Sequence, residues 1–335
     1  MNKINKILAV LVLAGASVGA QTITESFGSA GNTFSIDFVA IGNPNNPTDN
    51  DPRNTGYGPY HGSVSHVYNM GKYEVTVSQY AYFLNSAAKS DPYNLFNSSM
   101  YGLTRNGSAG NFEYLVTSGL GNRPISYTSW FDAARFVNWL NNGASNDSST
   151  ENGVYELNGM TTGIPWTSTP NSTRNASAKF FIPTYEELYK SGWYDPNKDG
   201  VGGYWDGPTG RAEYPGRPAE EAMINVWSQH PDSNGNLTTD VGTFPYPSAY
   251  GTYDQGGNVW EITEYVNGGN DVWIKGGSAG DTELAASKYY QGHNQSQDES
   301  GGLGFRIAMV PEPSSLSLLL AGGAVLMAGR RRKLD

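Results

Sequence analysis

The side chains with potential for chemistry in this sequence are mainly carboxylates and amides. The chain has no cysteine and only four histidines. The absence of cysteine excludes disulfides, thiolate metal sites and cysteine nucleophiles. One run fits the calcium-loop pattern D-x-[DN]-x-[DN]-G: Asp195, Asn197, Asp199 and Gly200, with Asp206 at the twelfth position. Because no exit helix follows and Asp replaces the usual Glu, the run predicts either a calcium site outside an EF-hand pair or a solvated turn.

The histidines offer a second arrangement for metal chemistry. His61 and His66 lie in a Gly/Ser-rich stretch, and with Glu74 they would form the two-histidine, one-carboxylate set of non-haem iron sites. The alternative is that both are loop and strand residues without a metal, and we expect neither iron nor copper as a cofactor. No G-x-S-x-G, P-loop or H-E-x-x-H motif is present.

The charge balance excludes one class of partner. With 31 acidic against 21 basic residues, the formal net charge is −10, so the chain would repel the phosphates of nucleic acids. An acidic surface rich in Asn, Asp and Gly is typical of extracytoplasmic calcium-binding domains, although solubility alone explains it equally well.

Three helices must position these groups, and each begins at a local signal. Thr76 and Gln79 form a capping box at the start of the first helix, and Thr184 and Glu187 form another at the third. The second helix begins near Ser129, where apolar residues take up helical spacing. The sequence beyond residue 190 indicates only short strands and loops, and the 42 glycines of the whole chain fit a fold with many loops. We therefore predict an α+β fold with few helices, short strands and much irregular structure.

Large aromatic side chains are expected to hold this loop-rich fold together, because each buries a large apolar area. The tryptophans expected in the core are Trp130, Trp139, Trp227 and Trp260. We expect Arg306 to be a buried structural cation rather than a catalytic group.

Six segments, in order, match the motifs of one family. They are 38–43 (FVAIGN), 70–85 (MGKYEVTVSQYAYFLN), 123–140 (RPISYTSWFDAARFVNWL), 180–194 (FFIPTYEELYKSGWY), 250–263 (YGTYDQGGNVWEIT), and KGGS at 275–278 paired with GFRIA at 304–308. Together they resemble the sulfatase-modifying-factor family of formylglycine-generating-enzyme-like domains. The resemblance implies a C-type-lectin-like, formylglycine-generating-enzyme fold.

The resemblance also implies a structural calcium ion at the turn before and within the GNVWE motif, residues 257–261. Its ligands would be the side chains of Asp254 and Glu261 and the carbonyls of Gly257 and Val259, a set of oxygens that suits a hard cation. The alternative is that Glu261 pairs with a cation while Asp254 caps a turn.

A second calcium site of the family would use Asn225 and the carbonyl of Val226. A residue from 232–237 would complete this site. The loop there departs in length from the family pattern.

The family's oxidase chemistry is not expected here. Its founding members oxidise a substrate cysteine with two cysteines of their own and a copper ion, and those positions fall on or near Asp281 and Ala286. Neither residue forms a thiolate, and copper(I) selects soft sulfur ligands. A second branch of the family uses non-haem iron, held mostly by histidines of an additional helical bundle for which this chain has no room.

The first twenty residues have the features of a secretory signal. Lys3 and Lys6 precede an apolar run at 7–13, and small residues lead to an A-x-A-like cleavage site before Gln21. We therefore assign residues 1–20 to a signal peptide and 21–310 to the family domain.

The last twenty-five residues, 311–335, resemble a PEP-CTERM sorting signal. A Pro-Glu-Pro motif at 311–313 is followed by an uncharged, mostly apolar segment at 314–329 and a basic cluster at 330–333. The apolar segment is at the short end of what crosses a bilayer, and the cations would remain on the cytoplasmic side. The resemblance implies export, a transient membrane anchor, and removal of the tail by an exosortase-type enzyme.

These observations lead to two functional hypotheses. The first is an exported, non-catalytic module that binds an extracellular polysaccharide or a cell-surface protein, located in the cell envelope or outside the cell. The 22 tyrosines and eight tryptophans fit sugar stacking, although they also fit a loop-rich core. The alternative is an oxidoreductase of the same family with a replaced active centre.

Processing provides a test of both terminal signals. In a host with an exosortase, the mature chain should begin at Gln21 and end close to Pro311-Glu312-Pro313, as measured by intact mass. A mature form that still carries Arg330 to Lys333 would contradict the sorting-signal interpretation.

Overall fold

The computed structural model describes residues 22–29, 32–54, 61–163, 174–210, 224–226, 228, 231–233, 235–266 and 270–312. The expected signal peptide and the apolar segment at 314–329 lie outside these ranges. Within them, no helix has both the length and the apolar character needed to cross a bilayer.

All three predicted helices are confirmed, each with its N-cap at the expected residue. They are α1 at Val77–Ala87, α2 at Trp130–Asn141 and α3 at Tyr185–Trp193. The capping boxes of α1 and α3 are as predicted, and α2 has one as well, formed by Ser129 and Asp132. A carboxylate at the third helical position also interacts favourably with the helix dipole.

The strands are short and numerous. The described residues contain β1 Thr22–Ser29, β2 Asn32–Ile41, β3 Tyr68–Gly71, β4 Leu103–Asn106, β5 Glu113–Val116, β6 Phe180–Phe181, β7 Tyr194–Asp195, β8 Gly203–Tyr204, β9 Trp260–Val266, β10 Asp271–Lys275, β11 Gly292–Gln295, β12 Leu303–Gly304 and β13 Ala308–Met309. Few helices and many short strands confirm the α+β fold class.

The largest sheet joins the two ends of the domain. Its strand order is β1-β2-β3-β13-β6, with every neighbouring pair antiparallel. Ala308 of β13 lies opposite both Met70 of β3 and Phe181 of β6. The strand nearest the end of the domain, β13, is therefore an interior strand of the sheet, between β3 and β6.

A second sheet, of order β11-β10-β9-β12, carries the residues of the candidate site. Strands β9 and β10 are antiparallel, while the two-residue β12 runs parallel to β9. The hairpins β4–β5 and β7–β8 form separate two-stranded sheets.

Aromatic rings fill the interface between α1 and α2. The ring centroids of Phe83 and Trp139 are 5.3 Å apart, and those of Phe136 and Phe305 are 5.5 Å apart. Trp130 and Trp139 are core residues as predicted, whereas Trp260 is half-buried at the edge of the core. Trp227 lies outside the described residues.

The cap of α3 allows a direct test of this part of the fold. Thr184 Oγ1 accepts the Glu187 N–H at 3.1 Å. Thr184→Ala should lower the free energy of unfolding by about 1 kcal/mol and the melting temperature by about 2–4 °C, measured by circular dichroism. Thr184→Ser keeps the acceptor and should melt close to the unmodified protein. Equal melting of the alanine variant and the unmodified protein would contradict a stabilising cap.

Candidate functional site

The turn before β9 is built around a close approach of two backbone segments. Gly257 has a φ of 81°, and a Cβ at this position would lie 2.1 Å from the carbonyl oxygen of Asn225. The Gly257 N–H donates to Gly276 and the Asn258 N–H to Asn225, each at 2.9 Å. Only glycine fits here, because any side chain would push the two segments apart.

Asn225 lies at the centre of a group of oxygen atoms. Its Nδ2 donates to the Leu237 carbonyl at 2.9 Å and to Asn258 Oδ1 at 3.1 Å. Its own Oδ1 is buried and has no hydrogen-bond partner among the described residues. A half-turn of the amide would place Oδ1 beside the other oxygens, an arrangement that requires a cation between them. These residues therefore fit the predicted second calcium site, with Leu237 inside the expected range 232–237.

Val226, whose carbonyl was expected to join that site, has a buried side chain. It packs with Ile224 and Ala286 in a small apolar cluster. Ile224 and Val226 flank Asn225 in the chain, so the packing of this cluster holds the backbone on both sides of Asn225. The direction of the Val226 carbonyl therefore depends on apolar packing.

Glu261, on β9, forms a buried ion pair with Arg306. Arg306 Nε donates to Glu261 Oε1 at 2.7 Å, and Nη2 contacts the same oxygen. The guanidinium also donates to the carbonyls of Gly71, at 2.9 Å, and Tyr253, at 2.8 Å. Arg306 is thus the structural cation that was expected, and Glu261 has the cation partner given above as its alternative.

Asp254 lies near this pair, and the pKa of its carboxyl group is shifted. Its Oδ2 accepts the Gly242 N–H at 2.6 Å, and its φ of 56° is in the left-handed region that Asp and Asn tolerate best. Burial raises the pKa of Asp254 to about 6, although Arg306 and the Gly242 N–H favour its ionised form. It also lines a small cavity with Ser248 and Thr252.

Glu74 adds a third carboxyl group that sequence reasoning did not place here. Both of its oxygens are buried without a hydrogen-bond partner in the described part of the chain. Burial, and then the negative charge of Asp254, raises the pKa of Glu74 well above its usual range. Three carboxyl groups, on Glu74, Asp254 and Glu261, therefore face the single guanidinium of Arg306. A proton or a further cation is needed to balance their charge.

The Asp195 loop has the geometry of the solvated turn. Asp195 Oδ1 accepts the Asn197 N–H at 2.8 Å, and Oδ2 accepts the Trp205 indole N–H at 3.0 Å. Asp199 is exposed, with a φ of 54°. Asp206 turns away from the loop and accepts the Tyr289 hydroxyl at 2.5 Å. The structure does not bring these side chains together around one point.

His61 and His66 each contact a different carboxylate. His61 Nδ1 lies 2.9 Å from Glu186 Oε1, and His66 Nε2 lies 2.9 Å from Glu187 Oε1. Glu74 is buried beside Arg306, so the iron triad drawn from the sequence is not assembled. Across the described ranges, no three His, Cys, Asp or Glu side chains are grouped so that they could hold a metal ion by themselves. The calcium arrangements above depend on amide and carbonyl oxygens as well.

A buried lysine cluster is the main feature that the sequence did not reveal. Lys288 Nζ lies 3.0 Å from a carboxylate oxygen of both Asp49 and Asp51, and 3.7 Å from Asp206. The four residues come from three distant segments, and no local pattern marks them as partners. The cluster ties the segment after β10 to the start of the domain.

The two positions where the family resemblance implies cysteines have structural roles. Asp281 Oδ2 accepts three hydrogen bonds, from Ser278 N at 2.9 Å, Ser278 Oγ at 2.6 Å and Trp260 Nε1 at 2.8 Å. Ala286 is fully buried, and a Cβ at Gly256 would lie only 3.0 Å from its methyl group. Both residues therefore contribute to the packing of the segment, and neither position carries a thiol.

Comparison with known proteins supports the fold. The model of the sulfatase-modifying factor enzyme 1-like domain matches residues 38–310. Treponema denticola variable protein 1 is similar in structure, with a TM-score of 0.51, 17% identity, and coverage of 86% of this chain and 99% of that one.

Two further solved structures are similar at lower scores. PvdO from Pseudomonas aeruginosa has a TM-score of 0.47 and 18% identity over 82% of this chain and 94% of its own. CarF has a TM-score of 0.45 and 19% identity over 73% and 87%. No curated protein sequence matches the chain. Because the family model covers most of its length, the chain belongs to the sulfatase-modifying-factor family, whose members have a formylglycine-generating-enzyme-like domain.

Proposed function

We propose that this protein is an exported, non-catalytic member of its family that binds a partner outside the cytoplasm. The observation that carries the proposal is the segment after β10. The chain has no cysteine, and the positions expected to hold the pair fall on or near an aspartate, whose Oδ2 accepts three hydrogen bonds, and a buried alanine. Neither can supply the thiolates that copper(I) and cysteine oxidation require.

The partner class follows from the ends of the sequence and from its charge. The signal-like N-terminus and the PEP-CTERM-like tail support export and a transient membrane anchor that an exosortase-type enzyme removes. A partner in the envelope or outside the cell would be a polysaccharide or a cell-surface protein. The net charge of −10 argues against nucleic acid.

The absence of catalysis can be measured directly. Purified residues 21–310 should leave a cysteine-containing sulfatase peptide unchanged, with or without copper, because no thiolate is available to start the reaction. Mass spectrometry would detect loss of the thiol and gain of the aldehyde. A cysteine-containing family enzyme serves as the positive control. Aldehyde formation by this chain, or stoichiometric copper or iron in the purified protein, would overturn the proposal and favour the oxidoreductase.

We also propose calcium as a structural cofactor beside Arg306. The support is electrostatic: when all three are ionised, Glu74, Asp254 and Glu261 carry more negative charge than one guanidinium can balance, and burial is the first cause of the raised pKa of each. A divalent cation with carbonyl ligands from Gly257 and Val259 would remove that imbalance. The same reasoning supports a second ion at Asn225. In the Asp195 loop, by contrast, the Asp195 oxygens accept hydrogen bonds from Asn197 and Trp205. Asp206 accepts one from Tyr289.

Asp254 gives the sharpest test of calcium binding. The unmodified protein should melt several degrees higher in calcium than in chelator, because an ion at a hundredfold excess over its Kd adds about 2.7 kcal/mol. Asp254→Asn should lose most of that shift, and Asp195→Ala should keep it. Glu261→Gln is less informative, because it also breaks the ion pair with Arg306. Coinciding melting curves of the unmodified protein in calcium and chelator would exclude a stabilising site.

The raised pKa of Asp254 adds a pH signature to the same measurement. The folded-state pKa is about 6 and the ordinary value 3.8, so the stabilising contribution is present below about pH 4 and is lost as the pH rises through 6. In chelator, Asp254→Asn should therefore gain stability relative to the unmodified protein between pH 4.5 and 7.5, by roughly 3 kcal/mol at most. In calcium at pH 7.5 this order should reverse.

A further inference from the structure

An exposed aromatic surface lies beside the segment in which the family resemblance implies cysteines. Tyr290 is 44% exposed, and Leu284 is 48% exposed. The Tyr290 ring contacts Trp260, with centroids 5.8 Å apart and planes inclined by 44°. The indole N–H of Trp260 donates to Asp281. Tyr290 and Asp281 therefore both contact the same half-buried indole.

This surface is held rigidly. The Nζ of the fully buried Lys275 donates to the carbonyls of Ser287 and Tyr290, each at 2.6 Å. Lys288, next to Ser287, is fixed by its aspartates. The exposed Tyr290 ring is thus attached to a backbone that buried hydrogen bonds hold in place. Binding of a ligand would therefore cost little conformational entropy in this segment.

Asp281 has one oxygen left for a ligand. Its Oδ2 accepts all three of its recorded hydrogen bonds, from Ser278 and Trp260. Its Oδ1 has no partner among the described residues, and the side chain is half-exposed. An ionised carboxylate only accepts hydrogen bonds, so the site calls for a ligand that presents hydroxyl or amine donors.

The geometry points to a neutral saccharide, and we propose that Tyr290, Trp260 and Asp281 form a binding site for one. This inference rests on the proposed function, for which it names the ligand class. The apolar face of a pyranose ring would stack on Tyr290, while its hydroxyl groups would donate to Asp281 Oδ1.

Charge and ring spacing disfavour the other ligands. Asp281 and the nearby Glu283 would repel uronic acids and sulfated sugars, and the neighbouring lysines, Lys275 and Lys288, are buried and already bonded. A cation cage would need an opening between aromatic rings. Here the rings of Trp260 and Tyr290 contact each other, so a methylated ammonium group has no room between them.

Affinity electrophoresis tests the site without knowledge of the natural ligand. Purified residues 21–310 would be run in gels containing one polysaccharide each: a neutral glucan, mannan or galactan, or an anionic alginate or dextran sulfate. At least one neutral gel should retard the unmodified protein. Tyr290→Ala should weaken that retardation about tenfold in apparent Kd, Tyr290→Phe should preserve it, and Asp281→Asn should weaken it.

Leu115→Ala is the matched control, because Leu115 is exposed to a similar extent, 41%, on the separate β4–β5 hairpin. Melting curves would show that each variant is folded. Retardation only in anionic gels, no retardation in any gel, or equal retardation of Tyr290→Ala and the unmodified protein would overturn the site. The peptide-aldehyde assay tests the absence of catalysis separately, so the two proposals fail independently.

Discussion

A buried ion pair joins the parts of the fold that carry the candidate site. Arg306 bonds Glu261 on β9 of the second sheet, the carbonyl of Gly71 at the end of β3 in the first sheet, and the carbonyl of Tyr253 in the turn before β9. Arg306 and Glu261 are almost fully buried, and removing one partner of such a pair costs about 3–5 kcal/mol, because the other is left charged and unpaired. The pair therefore constrains how the two sheets meet.

The same constraint creates the acidic surplus behind the proposed calcium site. Packing the sheets around one guanidinium also buries Glu74 and Asp254, and burial raises the pKa of both. At the proposed calcium site, protons and the metal ion would compete for the same carboxylates. Stability, pH and calcium should be linked in this protein, as expected when a fold without disulfides buries charge in its interior.

The segment after β10 is held in place by contacts that need no cysteine. Asp281 anchors Trp260, Ala286 fills an apolar cluster, and the buried amines of Lys275 and Lys288 hold the backbone that follows. These contacts fix the backbone of the segment. An exposed aromatic ring on a fixed backbone is consistent with the proposed binding function, since little order has to be created on binding.

The sequence by itself determined the features encoded over a few residues. The helix starts at Thr76 and Thr184 could be predicted because an N-cap and its partner are adjacent in the chain, and the collinear motifs indicated the family and hence the fold. Only the tertiary structure decided the partners of the charged groups. Glu261 forms an ion pair with Arg306, and Asp206 accepts a hydrogen bond from Tyr289, which lies outside its own loop. Sequence spacing carries no information about such contacts, because they depend on which distant segments the closed sheets bring together.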